Sequence, residues 1–138
     1  MHIKTIGKGS PILLIHGWGM SGKIWDEFSK LMKNKNKLYI VDLPGMGKSE
    51  LINPYKIDDL ISKINKSIPK KITIIGWSLG GQIAMKYYLK YPKSVNSLVC
   101  ISSTPCFIKK PGWDFGVSIN FFSKFKKELL NNWQKTLS

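Results

Sequence analysis

The sequence contains no arginine; its 22 basic residues are all lysines, against 8 acidic residues in a chain of 138. The formal net charge of +14 would suit a nucleic acid, an anionic membrane or an acidic protein as partner. Arginine is the usual side chain for reading bases and holding phosphates, so its absence argues against nucleic-acid binding. Lys, Ile and Asn, whose codons are rich in A and T, are used heavily, which indicates that genome composition explains much of the charge.

Cysteine is scarce and long apolar runs are missing. Cys100 and Cys106 have no histidine nearby, so neither a zinc site nor C-x-x-C redox chemistry is indicated, and we expect reduced thiols in the cytoplasm. The first apolar run, residues 11–15, does not form a secretory signal, and no run reaches membrane-spanning length. We therefore expect a globular domain with no membrane association, no metal and no cofactor.

Short apolar runs alternate with helical patterns along the first hundred residues. Runs without polar alternation are typical of strands covered on both faces; they lie at 13–15, 38–41, 72–75 and 98–101. Helices are predicted at 24–32 after a Ser21 cap, at 57–68 and at 79–91 before Pro92. Strands alternating with single helices predict an α/β fold, a mostly parallel sheet with helices on both faces. The apolar face of the first helix would comprise Ile24, Trp25, Phe28, Leu31 and Met32.

The pattern changes after residue 101. Residues 102–116 contain two prolines and two glycines without a clear period, which predicts a loop. An amphipathic helix follows, and its apolar stripe either faces a core or forms part of a lid over a substrate pocket. The stripe comprises Phe122, Phe125, Leu129, Trp133 and Leu137.

The segment G-W-S-L-G at 76–80 directly follows one predicted strand and directly precedes a predicted helix. This is the context of a G-x-S-x-G nucleophile elbow, in which a sharp turn strains the serine backbone and exposes its hydroxyl at the carboxyl edge of the sheet. Side chains at 76 and 80 would collide in such a turn. Ser78 is therefore the candidate nucleophile.

A second turn, His16-Gly17-Trp18, ends an earlier predicted strand. Acyl transfer needs two N–H groups near the attacked carbonyl, one from the residue after the nucleophile and one from such a loop. We therefore nominate Leu79 and Trp18 as the oxyanion donors; for Trp18 the alternative is a packed core aromatic. His16 is interpreted as a residue that organises this turn rather than as a general base.

The segment at 42–49, D-L-P-G-M-G-K-S, ends like a phosphate-binding loop. The loop G-x-x-x-x-G-K-[ST] would need glycine at position 42, where the chain has Asp42, so nucleotide binding is not expected. A tight turn in which Asp42 bonds its own loop is predicted instead.

With these residues in place, the chain resembles the N-terminal half of an α/β hydrolase. Its motifs at 16–20, 42–49 and 76–81 stand in the order of that family. More narrowly, the tryptophans of the oxyanion turn and the elbow, with S-T-P-C-F at 103–107, resemble the methyl ester esterases that act on pimeloyl-[acyl-carrier protein] in biotin biosynthesis. The resemblance implies an α/β-hydrolase fold truncated before its last strands.

The resemblance also implies a serine carboxylesterase that releases methanol from the pimeloyl ester. Ser78 would be the nucleophile, and Leu79 and Trp18 would hold the oxyanion and line the acyl pocket. Residues 1–103 would form part of the hydrolase core and residues 104–138 the beginning of a lid. Acyl-carrier proteins are acidic, so lid lysines would favour encounter, an ordinary solvated face being the alternative. These lysines are Lys124, Lys126 and Lys127.

The chain departs from the family where the acid and base are expected, since these follow the serine on later strands. Its only histidines, His2 and His16, precede Ser78, and Asp114 falls in the lid by resemblance. We expect the chain alone to be inactive, and to be marginally stable because the strand at 98–101 becomes an exposed edge. The alternatives are another hydrolase of this fold, acting on a small ester or a carbon–carbon bond, and a non-catalytic remnant that at most binds an acidic protein.

Overall fold

Two compact units make up the chain, Met1–Thr104 and the residues from Pro105 onward. The computed structural model describes the backbone of residues 1–137 and the side chains of residues 1–128, 131 and 132. The elements of the first unit are, in chain order, β1 (His2–Gly7), β2 (Ser10–Ile15), a 3-10 turn (Gly22–Trp25), α1 (Asp26–Met32), β3 (Asn36–Asp42), α2 (Ile57–Ser67), β4 (Ile72–Trp77), α3 (Leu79–Lys90), a second 3-10 turn (Pro92–Ser94) and β5 (Val95–Ile101).

The five strands form one sheet in the order β1-β3-β2-β4-β5. β3, β2, β4 and β5 run parallel, and β1 pairs antiparallel with β3. All four predicted strands and the mostly parallel sheet are confirmed. β5 lies at one edge, where Val99 is 43% and Ile101 is 41% exposed. The expectation that both faces of this strand are covered is therefore wrong.

β1 was not predicted from the sequence. Its residues mix the polar side chains of Lys4 and Thr5 with Ile3 and Ile6, which is not the continuous apolar run of the parallel strands. The strand forms because its whole backbone pairs with β3, from His2 opposite Asp42 to Gly7 opposite Lys37. As an edge strand it tolerates polar residues.

Successive apolar residues of the central strands point alternately to two cores, one on each face of the sheet. Leu13 and Ile15 belong to the core that α2 and α3 cover, whereas Ile12 and Leu14 belong to the core that includes Trp25. Each such side chain contributes about 1.5–3 kcal/mol on full burial. The prediction of helices on both faces is confirmed.

The helix predicted at 24–32 is only partly confirmed. The Ser21 hydroxyl accepts a hydrogen bond from the Lys23 amide at 3.4 Å and begins a 3-10 turn, which α1 then continues. A 3-10 turn has three residues per turn, so it rotates side chains off the face that an α-helix would give. Trp25 is buried, but Leu31 is 81% exposed and Ile24 is 39% exposed, so these two do not belong to the apolar face. The helices predicted at 57–68 and 79–91 are confirmed as α2 and α3, within one residue at each end.

The second unit consists of a loop and α4 (Ile119–Leu137), both as predicted. The Trp113 indole N–H donates to the Cys106 carbonyl at 2.9 Å, and Lys109 pairs with Asp114 at 3.2 Å. α4 has non-helical backbone angles at Asn132. Of the predicted apolar stripe, Phe122 and Phe125 are half-buried, and the side chains of Leu129, Trp133 and Leu137 lie outside the described residues. Within residues 1–137, no helix combines the length and apolar character needed to cross a bilayer.

Candidate active site

Ser78 is the single residue between the end of β4 and the beginning of α3. Its φ of 54° and ψ of −118° lie where non-glycine residues are rare, which confirms the predicted backbone strain. Hydrogen bonds hold this conformation: the Ser78 amide donates to the Ile101 carbonyl at 2.9 Å, and its carbonyl accepts from the Ser103 hydroxyl at 2.7 Å. The hydroxyl-bearing residue is thus fixed at the carboxyl ends of two parallel strands.

Both glycines of the elbow stand where a side chain has no room. A β-carbon on Gly80 would lie 2.7 Å from the His16 carbonyl oxygen, and one on Gly76 would lie 2.6 Å from the Gly81 α-carbon. These neighbours are backbone atoms, which cannot move aside as a flexible side chain could. The predicted collisions at 76 and 80 are confirmed.

The turn after β2 lies directly beside the elbow. β2 and β4 are neighbouring parallel strands with Ile15 opposite Gly76, so their carboxyl ends meet. A β-carbon on Gly17 would lie 3.2 Å from the Ser78 β-carbon. Trp18 follows immediately, and its side chain is 48% exposed, which does not fit the alternative of an ordinary core aromatic.

The backbone amides near Ser78 differ in what they bond. The amides of Gly81 and Gln82 donate to the Ser78 carbonyl at 3.0 and 3.3 Å. Leu79 is the first residue of α3, and the amides of a helix's first turn have no acceptor within the helix and carry its partial positive charge. Leu79 is therefore adjacent to Ser78 along the chain, and Trp18 is brought near it by the approach of Gly17. Their role as oxyanion donors stays a prediction.

His16 is fully buried and both of its ring nitrogens are engaged. Nε2 accepts a hydrogen bond from the Leu43 amide at 3.0 Å, so Nδ1 carries the proton and donates to the Gly17 carbonyl at 2.7 Å. Burial lowers the pKa of His16, against the opposing effects of the Gly17 carbonyl and the Asp42 charge. A neutral ring with both nitrogens occupied cannot take the Ser78 proton, which supports its interpretation as a turn-organising residue.

The Asp42 carboxylate accepts hydrogen bonds from two different segments, of which the sequence predicted only one. Its Oδ2 accepts from the Lys48 amide at 3.0 Å, which confirms the predicted bond within its own loop, and its Oδ1 accepts from the Gly22 amide at 2.7 Å. Burial acts to raise the pKa of Asp42, but the two amides and the nearby histidines outweigh it and lower the pKa. Sequence reasoning missed the bond to Gly22.

The described residues contain no general base for Ser78. Within residues 1–137 the Ser78 hydroxyl makes no hydrogen bond to a histidine or carboxylate, and His16 is engaged elsewhere. His2 lies on β1, which β3 and β2 separate from β4. Neither histidine ring is therefore available to the Ser78 hydroxyl in the part of the chain that the structure describes.

The strained serine at the strand–helix turn and the His-Gly turn beside it lie within a region of the chain that matches a known family. The sequence profile of the alpha/beta hydrolase fold matches residues 10–118. The chain belongs to the α/β-hydrolase family.

Relatives of this α/β hydrolase include two named pimeloyl-[acyl-carrier protein] methyl ester esterase. The one from Nitrosomonas europaea is 33% identical over 138 residues, which cover 100% of this chain and 55% of the relative. The one from Wigglesworthia glossinidia brevipalpis is 38% identical over 135 residues, which cover 97% of this chain and 52% of the relative. An esterase structure from Exiguobacterium antarcticum superposes with a TM-score of 0.91 at 24% identity, over 99% of this chain and 54% of that one, and shows the shared fold. The hydrolase thus spans about half the length of the relatives it matches.

Proposed function

We propose that this α/β hydrolase is a serine carboxylesterase whose nucleophile is Ser78. The close approach of Gly17 to the Ser78 β-carbon supports the proposal, because Trp18 follows Gly17 directly and Leu79 of α3 follows Ser78 directly. Ser78 Oγ would attack the ester carbonyl carbon, and the amides of Leu79 and Trp18 would stabilise the oxyanion. Collapse would break the bond to the methoxy group, which leaves as methanol with the serine proton; water would then release the acid and restore Ser78.

The proposed substrate is the methyl ester of pimeloyl-[acyl-carrier protein], in the cytoplasm. Support comes from the relatives of that name, which are 33% and 38% identical to the chain. An acidic carrier also suits the net charge of +14, and three lysines on α4 are exposed. A contribution of these lysines to encounter would weaken as salt is added. They are Lys124, Lys126 and Lys127.

The chain alone is proposed to turn over slowly or not at all, because neither histidine can accept the Ser78 proton. Loss of the base costs several powers of ten in rate in enzymes of this type. Without turnover, the chain would be a non-catalytic remnant or one part of a larger catalytic unit.

Labelling with a fluorophosphonate tests the nucleophile. Ser78 Oγ displaces fluoride from phosphorus, and peptide mass spectrometry locates the adduct. We expect slow labelling at Ser78, none in Ser78→Ala, and little loss of methanol from the pimeloyl-carrier ester. Equal labelling of Ser78→Ala would show that Ser78 is not the nucleophile. Full turnover by the chain would show that it does contain a general base for Ser78.

A chromosomal Ser78→Ala substitution tests the pathway. If the chain acts in the cell as one part of a larger catalytic unit, cells of the source organism that carry the substitution should fail to grow without biotin and recover when biotin is supplied. Unchanged growth would favour the remnant, and hydrolysis of small esters without the carrier ester would favour another hydrolase of this fold.

A further inference from the structure

The turn that carries Trp18 is fixed at both ends by two consecutive residues of the β3 end. At its first end, the Leu43 amide donates to His16 Nε2, and His16 Nδ1 donates to the Gly17 carbonyl. At its second end, the Gly22 amide donates to Asp42 Oδ1 at 2.7 Å. Residues 17–22 are therefore tied to the end of β3, the strand that pairs with β2.

Between its two ends the turn is exposed. Its internal backbone bond, from the Met20 amide to the Gly17 carbonyl, is 3.4 Å long. Gly19 adopts a φ of +73°, and a β-carbon there would meet nothing within 4 Å. Trp18 and Met20 are 48% and 44% exposed. Local opening is easiest in exposed segments, so the hydrogen bonds at the two ends of the turn bear directly on its position.

Asp42, in contrast, is held rigidly. The residue is 7% exposed, and its second carboxylate oxygen accepts from the Lys48 amide at 3.0 Å. Its carbonyl accepts from the Ser49 hydroxyl at 2.6 Å, and that hydroxyl accepts from the His2 amide at 2.7 Å. Gly47 leaves no room beside the carboxylate, since a β-carbon there would lie 2.6 Å from Asp42 Oδ2.

We propose that Asp42 is a positioning residue for the oxyanion turn, whose carboxylate fixes residues 17–22 against the Ser78 elbow. The proposal rests on the proposed function, because the turn matters only if Trp18 stabilises an oxyanion. Both carboxylate oxygens accept from backbone amides, so a side chain with one acceptor satisfies only one of them. Asp42→Asn keeps the volume but places an N–H donor against one amide.

Hydrogen exchange, followed residue by residue by NMR, tests the positioning without any enzyme activity. In the unaltered chain the Gly22 amide should exchange at least about tenfold more slowly than the Gly19 amide, because it donates to a buried carboxylate. In Asp42→Asn, exchange across 17–22 should accelerate about tenfold while the β4 amides keep their protection. If Gly22 exchanges as fast as Gly19 in the unaltered chain, the proposal is wrong whatever the variant does.

Two control variants separate positioning from general destabilisation. Ser49→Ala removes the bond to the Asp42 carbonyl but leaves the carboxylate in place, so it should speed exchange in β1 and not at 17–22. Asp59→Asn makes the same chemical change on the exposed surface of α2 and should alter neither region. Equal acceleration at 17–22 in Ser49→Ala and Asp42→Asn would overturn the proposal.

Fluorophosphonate labelling then tests whether the position of the turn affects the reactivity of Ser78. Asp42→Asn should lower the maximal labelling rate of Ser78 by about 10- to 100-fold, less than the loss of a whole oxyanion donor, with the half-saturating probe concentration unchanged. An unchanged labelling rate despite faster exchange at 17–22 would show that the position of this turn does not affect stabilisation of the oxyanion, and would overturn that part of the proposal. If the unaltered chain is not labelled at Ser78, the proposed function fails, while the exchange results still decide whether Asp42 fixes the turn.

Discussion

Gly17 stands so close to Ser78 that a β-carbon added to it would lie 3.2 Å from the Ser78 β-carbon and 3.0 Å from Trp77 Cε3. These distances are tighter than ordinary van der Waals contact, so Gly17→Ala must displace the elbow or the Trp77 ring. We expect a loss of about 1–3 kcal/mol in the free energy of unfolding, from overpacking. Ser78 labelling should slow in the same variant. Urea unfolding and fluorophosphonate labelling measure the two effects.

Gly19→Ala is the matched control two residues away. Its β-carbon would meet nothing within 4 Å, but its φ of +73° is unfavourable for alanine. We therefore expect a cost of about 1 kcal/mol from the backbone alone. If Gly19→Ala proves as costly as Gly17→Ala, the close approach to Ser78 does not determine the effect.

The strained backbone of Ser78 should lower the free energy of unfolding of the chain. Its φ of 54° and ψ of −118° suit glycine better than any residue with a β-carbon. We expect Ser78→Gly to raise the free energy of unfolding by about 1 kcal/mol, since relief of strain exceeds the added entropy of the unfolded chain. Ser78→Ala keeps the strain and should change stability little. If urea unfolding shows Ser78→Gly to be the less stable of the two, the serine backbone is not strained.

The parallel strands could be predicted from the sequence because burial on both faces leaves a local signature. Leu13, Leu14 and Ile15 are all fully buried, although they point to opposite sides of the sheet. β1 has no such signature, because an edge strand depends on pairing with a distant segment. Leu31 was misassigned because the buried side of α1 includes the polar Ser29, which hydrophobic periodicity does not mark, and Leu31 points away from it.

The elbow could be predicted because G-x-S-x-G couples residue type to backbone conformation within five residues. The role of Asp42 could not, since its bond to Gly22 joins residues twenty apart that lie on different segments. The pattern around Asp42 indicated only a bond within its own loop, for which the structure gives the Lys48 amide as the donor. Hydrogen bonds between segments depend on the folded arrangement of strands, which a single sequence shows only indirectly.

As the pH is lowered, the first loss of stability should come from protonation of His16 in the unfolded state. Burial lowers the pKa of His16 below 6.5, so the unfolded state binds a proton at a pH where the folded state does not. Stability should therefore fall as the pH drops below 6.5, by up to about 1.4 kcal/mol per pH unit. His16→Gln should flatten this slope in urea unfolding between about pH 7 and pH 5. A slope that survives in His16→Gln and disappears in His2→Gln would contradict the assignment.

At lower pH, protonation of Asp42 should cause a second loss of stability. Its pKa is lowered below 3.8, because its amide bonds and the histidines outweigh burial. Its contribution is complete above the unfolded value and is lost as the pH falls through the folded value. Asp42→Asn should remove the steeper acid limb below about pH 4, whereas Asp59→Asn should retain it.

High pH should destabilise the chain through Tyr87, a fully buried residue of α3. Its hydroxyl donates to Asn65 Oδ1 at 2.8 Å, and burial, with a smaller effect of Tyr91, raises its pKa from 10.0 to about 12. The unfolded state thus loses the phenolic proton first, and stability should fall between pH 10 and 12 by up to about 1.4 kcal/mol per pH unit. Tyr87→Phe should cost about 1 kcal/mol at neutral pH through the lost hydrogen bond and should flatten this alkaline slope. Tyr88→Phe, at a side chain that is 43% exposed, should change neither quantity, and an alkaline slope that persists in Tyr87→Phe would assign the titration to another group.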